Sequence, residues 1–487
     1  MSDLKVAVIG AGVVGSAIAR ELSRHKANIL VFEAGLDAGG GTSKANSGVV
    51  HSGINSAPGS LKARFCVQGN EMYPQLCKDL DVPVEYVGKF VVAKDENEAR
   101  ELDKFIDIGK KNGVPGIERV EGKDVAKKEP NVQCHSAIWV PSAGITLPYK
   151  LAIAMAENAA ENGAEFRLDS RVEDIKETAN GFSITTSRGE FQADIIINSA
   201  GIHCREVYAM LDRPDFHIYP CRGEYLVLDK EHSSIINSMV YPVPPEGGSV
   251  LGIHVTPTVE GPVLLGPSAE YVEGLEDKAT TAEVMDRLLE EARELIPALP
   301  DRKAVIRAYS GIRCKLSSRE WKDYRIIEKG DAIHLLGIES PGLTAAPAIA
   351  KNVVARLELG ENKGFIPVLS RPRPFSSLSM KERKKLVSKD PAWGRVVCRC
   401  EHVTEAEVRN ALDNPLGART LSSVKFRTRA GMGRCQGGFC TQHIIRIMEE
   451  LGMKPDKIKL KDEGSWMLTG PMRNRQNSKT KKEGHHG

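Results

Sequence analysis

Apolar and polar positions along this chain fall into blocks with two different periods. Lys5 to Ile9 reads K-V-A-V-I, an apolar run of strand length; after a glycine-rich turn, Ala17, Ile18, Ala19 and Leu22 recur at helical spacing. A second apolar run, Asn28 to Phe32, follows and ends on Glu33. The alternation returns in an Ala-rich helical stretch from Tyr149 to Asn162, in strands over Phe182–Thr185 and Ile195–Asn198, and over 325–360, which closes in a helix from about Ala345. Strand and helix in alternation predict a doubly wound α/β sheet. Two segments, 79–142 and 215–312, depart from that pattern. The second carries strands near Glu224–Leu228 and Val263–Leu265 and a charged helix, Thr281–Leu295.

The organisation this predicts is a doubly wound domain of residues 1–78, 143–214 and 313–360, interleaved with an α+β domain of residues 79–142 and 215–312. A linker over 361–392, rich in Pro, Ser and Lys, contains K-E-R-K-K, read as a solvated helix face. A small domain spans 393–465, where Thr404-Glu405-Ala406-Glu407 reads as an N-capped helix start. The tail, 466–487, carries Arg473, Arg475, Lys479, Lys481 and Lys482 and is expected to be disordered. No internal repeat is present.

Bulk properties narrow the function classes. A chain of 487 residues is too long for one simple core, so two or three domains are expected. A net charge of +3 with 27% charged residues gives no case for a nucleic-acid partner. The longest apolar runs are too short to span a bilayer, and the first is the opening strand itself rather than a signal peptide. Ten cysteines without a secretory signal point to the reducing cytoplasm. Any membrane association would then come through a partner protein.

The turn between the first strand and helix reads Gly10-Ala11-Gly12-Val13-Val14-Gly15. In a G-x-G-x-x-G turn of this kind the first glycine makes the bend, the second lets backbone approach a pyrophosphate, and the third packs helix on strand. The phosphates sit at the helix N-terminus, where free N–H groups and the dipole favour anions. Glu33, at the end of the second strand, suits ribose hydroxyls and would repel a 2′-phosphate. The fingerprint is that of a Rossmann-like dinucleotide site and leaves NAD and FAD both open. The run that follows, Gly39 to Gly53, is too rich in Gly and Ser to be a core element.

Four cysteines are grouped near the C-terminus, Cys398 and Cys400 as C-R-C and Cys435 and Cys440 as C-Q-G-G-F-C, the second pair among Gly431, Gly433, Gly437 and Gly438. Paired thiolates on tight backbone suit an iron–sulfur cluster, which needs four sulfurs around one inorganic core. Zinc is the alternative, although its knuckles usually space the pair more widely than C-x-C.

Resemblance to known families separates these choices. T-S-K-A-N-S-G-V-V-H-S-G, Pro58 to Ala63, A-G-I-T-L-P-Y from Ala143, A-D-I-I-I-N-S-A-G from Ala193, R-G-E-Y from Arg222, S-G-I-R from Ser310 and G-I-E-S-P-G-L-T-A-A-P from Gly337 resemble the D-amino-acid-oxidase-type FAD superfamily. Within it they are similar to the branch of FAD-dependent glycerol-3-phosphate dehydrogenases and L-2-hydroxyglutarate oxidases. The C-x-C…C-x4-C pattern resembles the [2Fe-2S] domain of the bacterioferritin-associated ferredoxin family. The resemblance implies a Rossmann-like FAD-binding domain, an α+β substrate domain and a small helical Fe-S domain with Cys398, Cys400, Cys435 and Cys440 as ligands. FAD contacts are implied at Gly10, Gly12, Gly15, Glu33, Thr42, Ser43, Asn46, Ser47, Gly201, Gly337, Ser340, Gly342, Leu343 and Thr344. First-turn N–H groups after Ser340 would face the flavin and stabilise its reduced, negatively charged ring.

Oxidising an alcohol by hydride transfer requires a base for the hydroxyl proton and an anchor for the substrate's charged end. His51 is the first candidate base, matching the N-S-x-x-H-x-G pattern with Asn46, Ser47 and Gly53, and His254 the second. Arg313 of S-G-I-R is the candidate anchor, because a guanidinium forks two bonds to a carboxylate or phosphate. Arg222 is a further substrate contact to be considered. Leu251 stands where the glycerol-phosphate branch often has Lys, and Cys314 follows Arg313 with no inferable role. The expected activity is oxidation of a small anionic alcohol, glycerol 3-phosphate ahead of L-2-hydroxyglutarate. An amine or amino-acid substrate, and a non-catalytic electron-transfer subunit, are the remaining readings. Electrons would leave through the cluster to an electron-accepting redox subunit and eventually quinone, in a homo- or hetero-oligomer.

Overall fold

The computed structural model describes residues 4–244 and 252–468; Leu251 and the tail from Gly470 lie outside them. The chain forms two compact units, the first built mainly of residues up to Arg373 and the second of residues from Pro374 onward.

A six-stranded sheet organises the first unit, in the order Arg325–Lys329, Ala332–Leu336, Ile195–Asn198, Leu4–Ile9, Ala27–Phe32, Glu165–Arg167. All neighbours are parallel except the first pair. Val6, Ala7 and Val8 are fully buried, as expected of a central parallel strand covered on both faces, which explains its unbroken apolar reading. Helix Val13–Leu22 packs against helices Pro148–Glu161 and Gly342–Val354 through alanines on all three. Helix Leu61–Asp79 crosses Gly342–Val354 so closely that a Cβ on Gly69 would lie 2.0 Å from Thr344 O. That last helix starts at Gly342, three residues before the predicted Ala345.

The inserted segments build a nine-stranded mixed sheet. Lys89–Ala93 is paired on one side with Ser136–Val140 and on the other with Met239–Pro242, so the two sequence-distant segments join in one sheet. His254–Pro257 follows Met239–Pro242, and Tyr219–Leu228 pairs over most of its length with Val305–Lys315. Arg313 to Lys315, grouped by sequence pattern with the doubly wound domain, therefore continue a strand of the inserted sheet. Helix Ala282–Leu295, preceded by Thr281, covers that sheet with Val284, Leu288, Leu289 and Ala292.

Phe182–Thr185 does not join the parallel sheet. It lies in a separate antiparallel sheet of Val172–Thr178, Gly181–Thr186 and Gly189–Ala193. Its burial alternates, with Phe182, Ile184 and Thr186 inside, because only one face of that sheet is covered.

The segment expected to be a linker is ordered against both units. Asn362 N–H donates to Arg24 O and Leu369 N–H to Asp79 O, tying the first part to the first unit. Further on, helix Met380–Lys389 begins with a Ser379/Glu382 capping box, and Trp393 packs with Ala392 and Ala406. The second unit continues with a short ladder of Val396–Cys398 and Val403–Thr404 and helices Glu405–Leu412, Leu421–Thr428 and Thr441–Glu450. Thr404 and Glu407 form the expected cap reciprocally. Val397, Val408, Leu412, Val424, Ile444 and Met448 make its core.

Candidate active site and cysteine centre

The nucleotide cradle forms where the first two parallel strands end. Gly10 has φ +97°, and a Cβ on Gly15 would fall 1.8 Å from Gly10 O, so helix and turn touch through backbone. Ser43 Oγ accepts from Val13 N–H at 2.8 Å, at the helix start beside Gly12. Glu33 accepts from Ala11 N–H (2.8 Å) and Gly35 N–H (2.7 Å); burial outweighs those bonds and holds its carboxyl above the usual range. Thr42 donates to Ile312 O, and Asn46 folds its own loop by bonding Ser43 O and Gly48 N–H. Gly201 and Gly337 both have positive φ, and Gly201 O accepts from the Cys314 thiol, which also lies 3.8 Å from Cys204 Sγ.

His51 is held from both directions. Its N–H donates to the buried Thr344 hydroxyl at 2.9 Å, its carbonyl accepts from Asn70, and its ring Nε2 lies 3.3 Å from Ser340 Oγ. Burial, reinforced by Lys89, pushes its imidazole down to about 3. His254 stacks on Tyr241 with ring centroids 3.9 Å apart. Its Nδ1 lies 3.2 Å from Gly252 O, which fixes a proton there and leaves Nε2 as an acceptor; Nε2 is buried and has no partner among the described residues. Burial is again the main cause of a value near 3, with His51, Lys89 and Arg313 adding repulsion. Both imidazoles are neutral at neutral pH.

Among the described residues Arg313 forms no ion pair with a carboxylate, although Glu339 is near enough to favour its charge. One nitrogen donates to Ser268 O at 2.7 Å and another to Cys221 Sγ at 3.3 Å. Tyr225, which also bonds Ser47, shares the guanidinium. Arg222 is different: it is ion-paired to Glu224 and Asp277 inside the sheet, a structural role. A cavity beside His51 is lined by Asn55, Lys62, Cys66, Glu339 and Ser340, with Lys62 paired to Glu339 at 2.8 Å. Sequence reading missed Lys89. It is 1% exposed, bonds Asn55 Oδ1 at 3.2 Å and sits 4.8 Å from the centre of the Tyr241 ring.

Of the four grouped cysteines, Cys398 ends its strand and Cys440 precedes helix Thr441–Glu450, both buried; Cys400 and Cys435 are exposed. A hydrogen bond from Cys440, joined by backbone N–H groups of Gly431, Glu401 and Cys400, lowers Cys398 to about 6 against the effect of burial. Among the described residues, no three or more His, Cys, Asp or Glu side chains are arranged to hold a single metal ion.

A family model described as FAD dependent oxidoreductase matches residues 5–356. The chain belongs to that family. A second model, the BFD-like [2Fe-2S] binding domain, matches residues 396–450. The chain is 38% identical to a glycerol 3-phosphate dehydrogenase of Caloramator mitchellensis over 479 residues, 96% of this chain and 98% of that protein. It is 33% identical to the mitochondrial L-2-hydroxyglutarate dehydrogenase of Arabidopsis thaliana over 397 residues, 71% of this chain and 82% of that protein. Among solved structures, an L-alpha-glycerophosphate oxidase from Mycoplasma pneumoniae with FAD bound superposes with a TM-score of 0.72 at 26% identity, over 77% of this chain and 100% of that one. A glycine oxidase from Geobacillus kaustophilus, at 22% identity and a TM-score of 0.65, shares the fold.

This FAD-dependent oxidoreductase therefore combines a flavin domain with a [2Fe-2S] domain. The cradle fits the cofactor: the close backbone contacts at Gly10 and Gly15 leave no room for side chains, Glu33 follows the second strand, and Ser43 reaches the start of the first helix from the turn Thr42–Lys44. Among the described residues no helix is long and apolar enough to cross a membrane.

Proposed function

We propose that this protein is an FAD-dependent dehydrogenase that oxidises sn-glycerol 3-phosphate to dihydroxyacetone phosphate and sends the electrons out through its [2Fe-2S] domain. The observation that carries the reading is the near full-length similarity to a protein of that activity, cysteine domain included. When bound, FAD supplies a two-electron hydride acceptor, and the cluster, with Cys398, Cys400, Cys435 and Cys440 as ligands, a one-electron relay to a partner redox protein. Gly10, Gly12, Gly15, Glu33 and Ser43 would hold the dinucleotide, and Ser340 to Thr344 the ring end.

The chain's own contribution is proton removal and anchoring. His254 Nε2 accepts the hydroxyl proton, since it is the imidazole nitrogen with a fixed lone pair and no partner among the described residues. His51, tied to Ser340 and Thr344, lines the cavity it shares with Asn55 and Lys62. Arg313, in no ion pair among the described residues, takes an oxyanion of the substrate. L-2-hydroxyglutarate is the second reading, favoured by relatives of that activity. Anaerobic titration of the cluster-reconstituted protein decides: glycerol 3-phosphate is expected to bleach the flavin rapidly. Bleaching by L-2-hydroxyglutarate alone would replace the first reading with the second, and silence from both would remove both.

A further inference from the structure

We propose that Lys89 is a substrate-anchoring residue whose ammonium takes an oxyanion of the substrate, phosphoryl or carboxylate, in the buried region where it neighbours His51 and His254. The proposal rests on the reading that the substrate is a small anionic alcohol. Lys89 opens the strand Lys89–Ala93 in the interior of the nine-stranded sheet, where the next three residues, Phe90, Val91 and Val92, are fully buried apolar side chains. An ammonium there loses its hydration, which is costly unless an opposite charge replaces it. No such charge is present among the described residues: the partners of Lys89 are the neutral amide oxygen of Asn55 and the face of Tyr241. Two other buried cations nearby are served, Lys62 by Glu339 and Arg222 by Glu224 and Asp277, whereas Arg313, the proposed second anchor, forms no ion pair among the described residues either.

Location gives the unmatched charge a use. Asn55 and Cys66, the neighbours of Lys89, line the same cavity as His51 and Ser340. Tyr241, over which the ammonium sits, is the ring on which His254 stacks. Lys89 and Arg313 both lie close enough to His254 for their charges to act on it, so an anion held by either would lie in the neighbourhood of the imidazole, whose Nε2 has no partner among the described residues.

The test uses purified holoenzyme, wild type, Lys89→Met and Lys89→Arg, with inorganic phosphate and glutarate as probes read by perturbation of the oxidised flavin spectrum. Lys89→Met is expected to weaken binding of at least one probe by about tenfold or more, the loss of a charge-assisted hydrogen bond, while Lys89→Arg stays within about threefold of wild type. Loss confined to phosphate assigns the ammonium to a phosphoryl end, and loss confined to glutarate to a carboxylate. Equal affinities in wild type and Lys89→Met, or no binding of either anion to wild type, overturn the proposal. If Lys89→Met does not retain flavin, the pH dependence of glutarate binding decides. Burial lowers Lys89 to about 8, whereas the other groups facing it titrate far away, His51 and His254 near 3, Cys66 near 12 and Tyr241 higher still. Wild-type affinity should fall as pH rises through about 8 and that of Lys89→Arg should not; identical profiles overturn the proposal. Wild type that binds anions but is bleached by neither alcohol would sink the functional reading and leave the Lys89 result standing.

Discussion

Single residues carry the chemistry here, and their hydrogen bonds rank them. His51 and His254 are equally neutral, yet of the two only His254 has a ring nitrogen that is buried, aprotic and without a partner among the described residues. His254→Gln is therefore expected to lower the rate of flavin bleaching by substrate about 10²–10⁴-fold, the usual worth of a positioned base, and His51→Gln to lower it less. Stopped-flow reduction checks this; a larger loss at His51 would restore the order that sequence pattern alone implies. Lys89 makes a separate thermodynamic statement. A lysine held at about 8, against 10.5 when unfolded, destabilises the ligand-free protein below pH 8, and that penalty is relieved between about 8 and 10.5. Its full size is on the order of 3 kcal/mol. Lys89→Met should unfold at higher denaturant than wild type at pH 7, with the advantage shrinking toward pH 10.5. Sequence reading had no handle on Lys89, because K-F-V-V-A looks like any strand whose first residue reaches solvent. Only the pairing of that strand on both sides buries it.

Among the elements, those with local signals were legible and those defined by partners were not. The first strand, turn and helix follow from an apolar run and three glycines, and the structure shows why each glycine matters. Gly15→Ala would drive a Cβ into Gly10 O, so it is expected to cost at least about 1–3 kcal/mol and to reduce the flavin retained per protein, measured from absorbance after purification. The helix capped by Thr404 likewise starts where its sequence says, and the helix after Thr281 does so without a side-chain cap. Phe182–Thr185 did not sort correctly, because four apolar-alternating residues cannot say which sheet they join. Residues 313–315 went astray for the same reason: their strand is defined by its ladder with Tyr219–Cys221, almost a hundred positions away.

Across the whole molecule, one polypeptide joins a two-electron site to a one-electron carrier. Cys398→Ser in the full chain is expected to abolish the cluster's absorbance and electron delivery to a one-electron acceptor, while substrate still bleaches the flavin. Retained cluster absorbance would show that Cys398 is not a ligand. The G-x-G-x-x-G turn and the alternating apolar runs determine a dinucleotide site and the fold class, and the cysteine spacing a cluster or metal centre, because each depends on residues close together in the chain; FAD over NAD and [2Fe-2S] over zinc followed from the longer motifs shared with known families. Tertiary structure alone decided which of the two imidazoles has a nitrogen without a partner among the described residues, that Arg313 forms no ion pair there while Arg222 forms two, and that Lys89 is buried beside both histidines. Those properties belong to side chains brought together from strands as far apart as residues 89, 254 and 313, and burial and charge balance exist only once the sheet has closed around them.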